Sequence, residues 1–355
     1  MERAKAYSVI AVFMLLPFGF LSYGIIHEGQ HLTLVLVSAV VLAAAVKNNW
    51  ITVFYWYLCA WMVFVCLYRM AFPLADAVFM AALDQFVYLL CGLAVFVGAS
   101  RQRIKNEVFY NAICIAALVQ CAIAISQFIG FDPVVWALNQ FTTAKQFLSA
   151  TALTGTLGNN NFLAAFIAVS LPFFFRGGWA YFIPALLFCL YFANTSSAFV
   201  PAIIGAMFYF WPKLSRKAKA GCVVAGIVIG GCYALFQHSN VFLNPRWQDW
   251  LHALSLVLVN PFSLVCGMGP GASWGKAYPM HNEWLQCLYQ FGVIGFGIMA
   301  GYALTIYRGN RILFTAFLIA AINMFGNYSL HLAPSAFLII FIAGFIQRER
   351  IVRNG

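Results

Sequence analysis

The stretch His281-Asn282-Glu283-Trp284 opens an apolar run that extends past residue 300. A helix beginning there sets His281 near its amino terminus, where the macrodipole disfavours an imidazolium. A neutral imidazole accepts a proton near neutral pH, which is the task of a general base. Upstream, Arg246 supplies a guanidinium fork that holds phosphate oxygens through paired hydrogen bonds. The two groups suit transfer of a sugar from a lipid diphosphate to a hydroxyl: the acceptor must lose a proton, and the departing diphosphate must have its charge neutralised. Plainer roles stay open, with Arg246 pairing to Asp249 or lipid headgroups and His281 capping a helix. An Arg in a first helical turn opposes the dipole, which favours a use outside the helix. Asp249, Trp250, Asn282 and Glu283 adjoin the pair and are candidate substrate contacts.

A second polar cluster is Thr156-Leu157-Gly158-Asn159-Asn160-Asn161, just before another apolar run. Amides at a helix start can cradle a phosphate or a sugar hydroxyl, and they can also simply cap the helix. Asn159 and Asn161 are the candidates here, with Lys145 and Gln146 as further contacts in the preceding segment. A metal site is the chemical rival, built from Asp249 and His252 at i, i+3 with His281 and Glu283. The segment lacks a recognised zinc spacing, and His281 and Glu283 are separated by one residue, so neither metal nor cofactor is expected. Asp84-Gln85 lies inside an apolar run, where a carboxylate is a functional candidate or a buried polar partner.

These residues need elements to hold them. Asn244-Pro245 reads as an N-cap followed by Pro at the first helical position, so a helix should begin there. Along it Trp247, Trp250, Leu251, Leu254, Val257 and Leu258 form an apolar stripe that could lie on a membrane or pack on a bundle. Asn260-Pro261 should stop it, and Gly267-Met268-Gly269-Pro270-Gly271 should then form a flexible turn joining the two parts of the loop at 237–282. The Gly-x-Gly-x-Gly string follows no strand, which argues against a nucleotide loop.

Of the 355 residues 64% are apolar and only 8% charged, which excludes an ordinary soluble protein. The expected fold is an all-α polytopic membrane protein in one domain, residues 1–355, with about 12 transmembrane helices and an amphipathic helix in the large loop. The apolar cores fall at 7–26, 32–46, 50–68, 78–99, 108–130, 159–175, 179–193, 198–212, 220–236, 284–307, 312–326 and 332–346. With both termini cytoplasmic, only Arg69, Lys145, Arg246 and Lys276 of the 20 Lys and Arg fall outside. All six histidines then map to the outer face. The net charge of +11 comes from cytoplasmic loop clusters, so nucleic-acid binding is rejected. The first apolar run lacks a convincing cleavage site and is expected to stay in the mature chain. Most of the ten cysteines, Cys59, Cys66, Cys114 and Cys189 among them, lie in apolar runs and pack as small hydrophobes.

Arg246 followed by Trp250, then Asn260-Pro261, Gly267-x-Gly269, His281-Asn282-x-x-Leu285 and Gly292-x-x-Gly295, with Gly158-Asn159-x-Asn161 earlier, resembles the O-antigen ligase and O-antigen polymerase superfamily of bacterial membrane glycosyltransferases. The resemblance implies metal-independent transfer from an undecaprenyl-diphosphate-linked glycan at the periplasmic face of the inner membrane, using His281 and Arg246. It implies lipid A core or a growing glycan as acceptor. Two departures weaken any choice among these activities. Thr195-Ser196-Ser197-Ala198 stands where many relatives have a Ser-Arg-Gly-like turn, and Pro245 stands where Gly is frequent. A transporter for lipid-linked saccharide and a noncatalytic assembly partner are the rival classes.

Overall fold

The computed structural model describes residues 92–101, 105–133, 136, 153–157, 159–221, 224, 245–269, 282–306, 309–326 and 333–354. Among these residues the chain is helical, with no strand. The main helices are α1 (Gly92–Arg101), α2 (Asn106–Phe128), α3 (Asn160–Ser170), α4 (Ile183–Phe192) and α5 (Ser196–Phe210). They continue as α6 (Pro245–Val259), α7 (Pro261–Cys266), α8 (Glu283–Thr305), α9 (Arg311–Asn323) and α10 (Ala333–Asn354). Two described helices, Asn106–Phe128 at mean hydropathy 2.2 and Glu283–Leu304 at 1.5, are long and apolar enough to cross a membrane. The 23 residues of α2 extend about 35 Å, which exceeds the hydrocarbon core of a bilayer.

The helices follow the apolar cores of the sequence. Those at 108–130, 198–212 and 312–326 correspond to α2, α5 and α9. The core at 159–175 is α3 extended by a 3-10 turn, Leu171–Phe174, where Pro172 has no N–H to continue the α ladder. The core at 332–346 is α10, which runs on to Asn354 through the polar residues after Ile346. The cores at 7–26, 32–46 and 50–68, and most of those at 78–99 and 220–236, lie outside the described residues, as does Asp84-Gln85.

The chain divides into two compact units. The first takes its described residues from Val87–Gly205 and Ile306–Gly355. Its central element is α3, which packs against α2, α4, α9 and α10. Leu163 through Ser170 are all buried, as expected of a helix that is apolar all round. Phe109 of α2 stacks on Phe345 of α10 at 4.1 Å between ring centroids and meets Phe173 edge-on at 6.0 Å. At Gly344, a Cβ would come within 2.6 Å of the Ala99 Cβ, so the missing side chain lets α10 approach α1 closely.

One end of this unit is tied by polar side chains. Asn310 Nδ2 donates to the Tyr110 hydroxyl at 2.6 Å and to Glu349 Oε1 at 2.7 Å. Asn106 bonds both Glu349 and Arg348. Arg176 donates to Asn111 Oδ1 at 2.6 Å and lies 4.9 Å over the Tyr110 ring. Arg176, Asn310 and the Arg348–Glu349 pair, from three separate segments, therefore share the end of the unit where α2 begins.

The second unit takes its described residues from Ala206–Thr305. Here α6, α7 and α8 pack on one another around Ala253, Val257 and Tyr289. Trp250, Leu256, Leu264, Met268 and Leu285 close over that cluster.

Candidate functional site

The helix expected from Pro245 is present and ends at Val259, where Asn260-Pro261 stops it as expected. The same pair also starts the next helix: Asn260 Oδ1 accepts from the Phe262 amide at 2.9 Å, with Pro261 at the first helical position. The segment therefore folds back as a helical corner before the glycines. The apolar stripe divides. Trp250 and Val257 pack inward, joined by Ala253, whereas Leu251 and Leu258 are exposed. Trp247 leans on Trp250 at 6.1 Å between ring centroids. Asp249 is half-buried and His252 exposed on α6.

The Gly267-Met268-Gly269 stretch, expected to be a flexible turn, is held against α8. That helix is two helices joined at Gly292, whose φ of 64° and ψ of −168° interrupt the α ladder. The break leaves the Tyr289 and Gln290 carbonyls without the amides four residues ahead. The Met268 amide donates to the Tyr289 carbonyl at 2.7 Å and the Gly269 amide to the Gln290 carbonyl at 3.1 Å. Gly267, Gly269 and Gly292 all have positive φ, a region that L side chains rarely enter. The glycines of this motif are thus a docking joint between the loop and the broken helix.

The first half of α8 carries the candidate contacts. Asn282 caps it, its Oδ1 accepting from the Leu285 amide at 3.0 Å. Glu283 follows in the first turn, where a carboxylate complements the dipole. Asn282, Glu283, Gln286 and Gln290 are all buried, and 283, 286 and 290 share one face by helical spacing. Sequence reasoning passed over Gln286 and Gln290, although their i, i+4 spacing within an apolar run was a readable signal. His281 and Lys145 lie outside the described residues. Arg246 is placed on the first turn of α6 by its backbone alone. Trp250, one turn after Arg246, and Leu285, four residues after His281, cover the same apolar cluster.

Asn159 and Asn161 belong to the first unit. Asn159 Oδ1 accepts from the Asn161 amide at 2.8 Å as the N-cap of α3. Asn160 ties the same corner to the end of α4, donating to the Ala193 carbonyl at 3.0 Å. Asn323 donates to the Ser197 carbonyl at 2.6 Å, tying α9 to the start of α5. The approach to α3 is a buried non-helical segment, residues 153–157, whose backbone groups need partners inside the apolar interior. Two glutamines of α2, two turns apart, provide them. Gln127 Oε1 accepts from the Thr154 and Gly155 amides at 3.0 and 2.8 Å, and its Nε2 donates to the Gly155 carbonyl at 3.0 Å. Gln120 accepts from the Thr156 amide at 3.0 Å and donates to the Thr156 hydroxyl at 2.8 Å.

Among the described residues no three His, Cys, Asp or Glu side chains gather as a metal site, and Cys114, Cys121, Cys189, Cys266 and Cys287 are free thiols. Compared with known proteins, the chain matches no family model and no curated protein sequence.

Proposed function

We propose that this chain is an integral membrane glycosyltransferase that moves a glycan from an undecaprenyl-diphosphate carrier to an acceptor hydroxyl at the periplasmic face of the bacterial inner membrane. Lipid A core is the acceptor in a ligase, and a growing glycan is the acceptor in a polymerase. Arg246 neutralises the departing diphosphate and His281 takes the acceptor proton. Asn282, Glu283, Asp249 and Trp250 supply nearby contacts. No metal or other cofactor takes part.

The observation that carries this reading is that α6, which bears Arg246, and α8, which His281 precedes, pack on one another in a single unit around Ala253, Val257 and Tyr289, with Trp250 and Leu285 both against that cluster. The glycine joint at Gly267, Gly269 and Gly292 adds rigidity to the arrangement, as positioned acid–base and phosphate groups require. For the proposed topology of about twelve spans with cytoplasmic termini, the gathering of Arg176, Arg348 and Asn310 at one end of the first unit is the supporting feature. A second reading, transport of a lipid-linked saccharide, draws on the break at Gly292, because transporters use discontinuous helices at their substrate sites.

The test uses purified protein in nanodiscs with undecaprenyl-diphosphate-linked oligosaccharide and EDTA, with lipid A core supplied or omitted. Product that needs the core and disappears in folded His281→Ala and Arg246→Ala identifies a ligase. A lengthened donor glycan without core identifies a polymerase. Absence of product together with saccharide movement across vesicles that survives His281→Ala would overturn transfer in favour of transport.

A further inference from the structure

The second unit carries a charge feature unrelated to the loop chemistry. Residues 211–219 read Trp-Pro-Lys-Leu-Ser-Arg-Lys-Ala-Lys, and no Asp or Glu occurs between Asp132 and Asp249. Lys213, Arg216 and Lys217 are exposed and Lys219 is half-exposed. The aromatic residues beside them are arranged around the cations. Lys213 Nζ lies 6.0 Å from the ring centroids of both Tyr209 and Phe210, and Lys219 Nζ lies 5.8 Å from that of Trp211. Among the described residues, no carboxylate pairs with any of the four cations. The segment is ordered rather than trailing: Trp211–Lys213 forms a 3-10 turn, and Ser215 Oγ accepts from the Ala218 amide at 3.2 Å at the start of the next helical turn.

Clustered cations next to amphipathic rings at the end of an apolar helix match the chemistry of an anionic bilayer surface. The rings sit at headgroup depth, and the ammonium and guanidinium groups meet phosphates. We propose that Lys213, Arg216, Lys217 and Lys219, with Trp211, form a binding site for anionic phospholipid headgroups on the membrane face where α5 ends. The proposal rests on the membrane-spanning reading of the chain and is independent of glycan transfer. Each cation near an anionic surface strengthens attachment about fivefold at moderate salt, so the four together exceed what a scattered surface charge gives.

Native mass spectrometry of the full chain released from nanodiscs containing equal phosphatidylglycerol and phosphatidylcholine reads the preference directly. Wild type should retain phosphatidylglycerol over phosphatidylcholine, with the preference falling as salt rises. The variant K213Q/R216Q/K217Q/K219Q should reduce that preference at least about tenfold. The variant K213R/K217R/K219R, which keeps every charge, should retain it. Equal retention of both lipids by wild type, an unchanged preference in the glutamine variant, or loss of preference in the arginine variant would each overturn the proposal. Because the readout is retained lipid, a protein inactive in glycan transfer leaves the result interpretable.

Discussion

A Cβ placed on Gly292 would lie 2.7 Å from the Gly267 amide nitrogen and 2.2 Å from the Val265 carbonyl oxygen, so the break in α8 and the loop glycine fit only without side chains. Gly292→Ala adds that clash to strain at positive φ and is expected to lower stability by at least about 2 kcal/mol. Gly297→Ala, with open space around an exposed helical position, should be neutral or slightly stabilising. Thermal unfolding of the two variants in detergent checks the contrast.

Gln127 stands where its loss cannot be relieved by water. Gln127→Leu leaves the Thr154 and Gly155 amides buried without an acceptor, at a cost of about 1–3 kcal/mol for each. Gln127→Glu retains the acceptor but sets a buried carboxylate against the Gly155 carbonyl and the Asp132 carboxylate, which Gln127 Nε2 bonds in the wild type, so it should destabilise as well. Thermal-unfolding midpoints below wild type in both variants are expected, and leucine matching wild type would remove the network.

Asn282 serves as a cap whatever else it touches. Asn282→Ala should lower stability by about 1 kcal/mol, and Asn282→Ser should restore most of that because its hydroxyl can accept from the same turn. If capping is the main role, transfer activity follows the folded fraction in both variants. A serine variant that is fully folded but inactive would instead assign Asn282 a direct substrate contact.

Arg176 and Glu107 form an ion pair at 3.5 Å, with side chains 18% and 79% exposed. Glu107→Ala should change stability by less than about 0.5 kcal/mol, since an exposed pair contributes little. Arg176→Ala also removes bonds to Asn111 and to the Phe173 carbonyl, together with the contact over Tyr110, and should cost about 2 kcal/mol. Equal effects of the two substitutions in thermal unfolding would show that Arg176 stabilises the fold through its ion pair with Glu107 rather than through these other contacts.

Much of the helical order was legible because its signals are local. Pro245 and the Asn260-Pro261 pair mark the ends of α6, and an apolar run marks α2, since capping and burial depend on neighbours along the chain. Asn159 could be read as a cap for the same reason. What those local signals left open was which face of α6 goes inward: Leu251 and Leu258 fit the apolar period as well as Trp250 and Val257, and only the positions of α7 and α8 distinguish them.

Residue order alone establishes that the chain is rich in apolar helices, where several of them start and stop, and which polar residues stand out from their apolar surroundings. Helix packing assigns those polar residues their roles. Gln120 and Gln127 satisfy a backbone segment about thirty residues away in sequence, and Met268 and Gly269 satisfy carbonyls freed by a break in another helix. A buried backbone group must find a partner, but sequence does not say which distant segment supplies it. That pairing is set only when the helices pack.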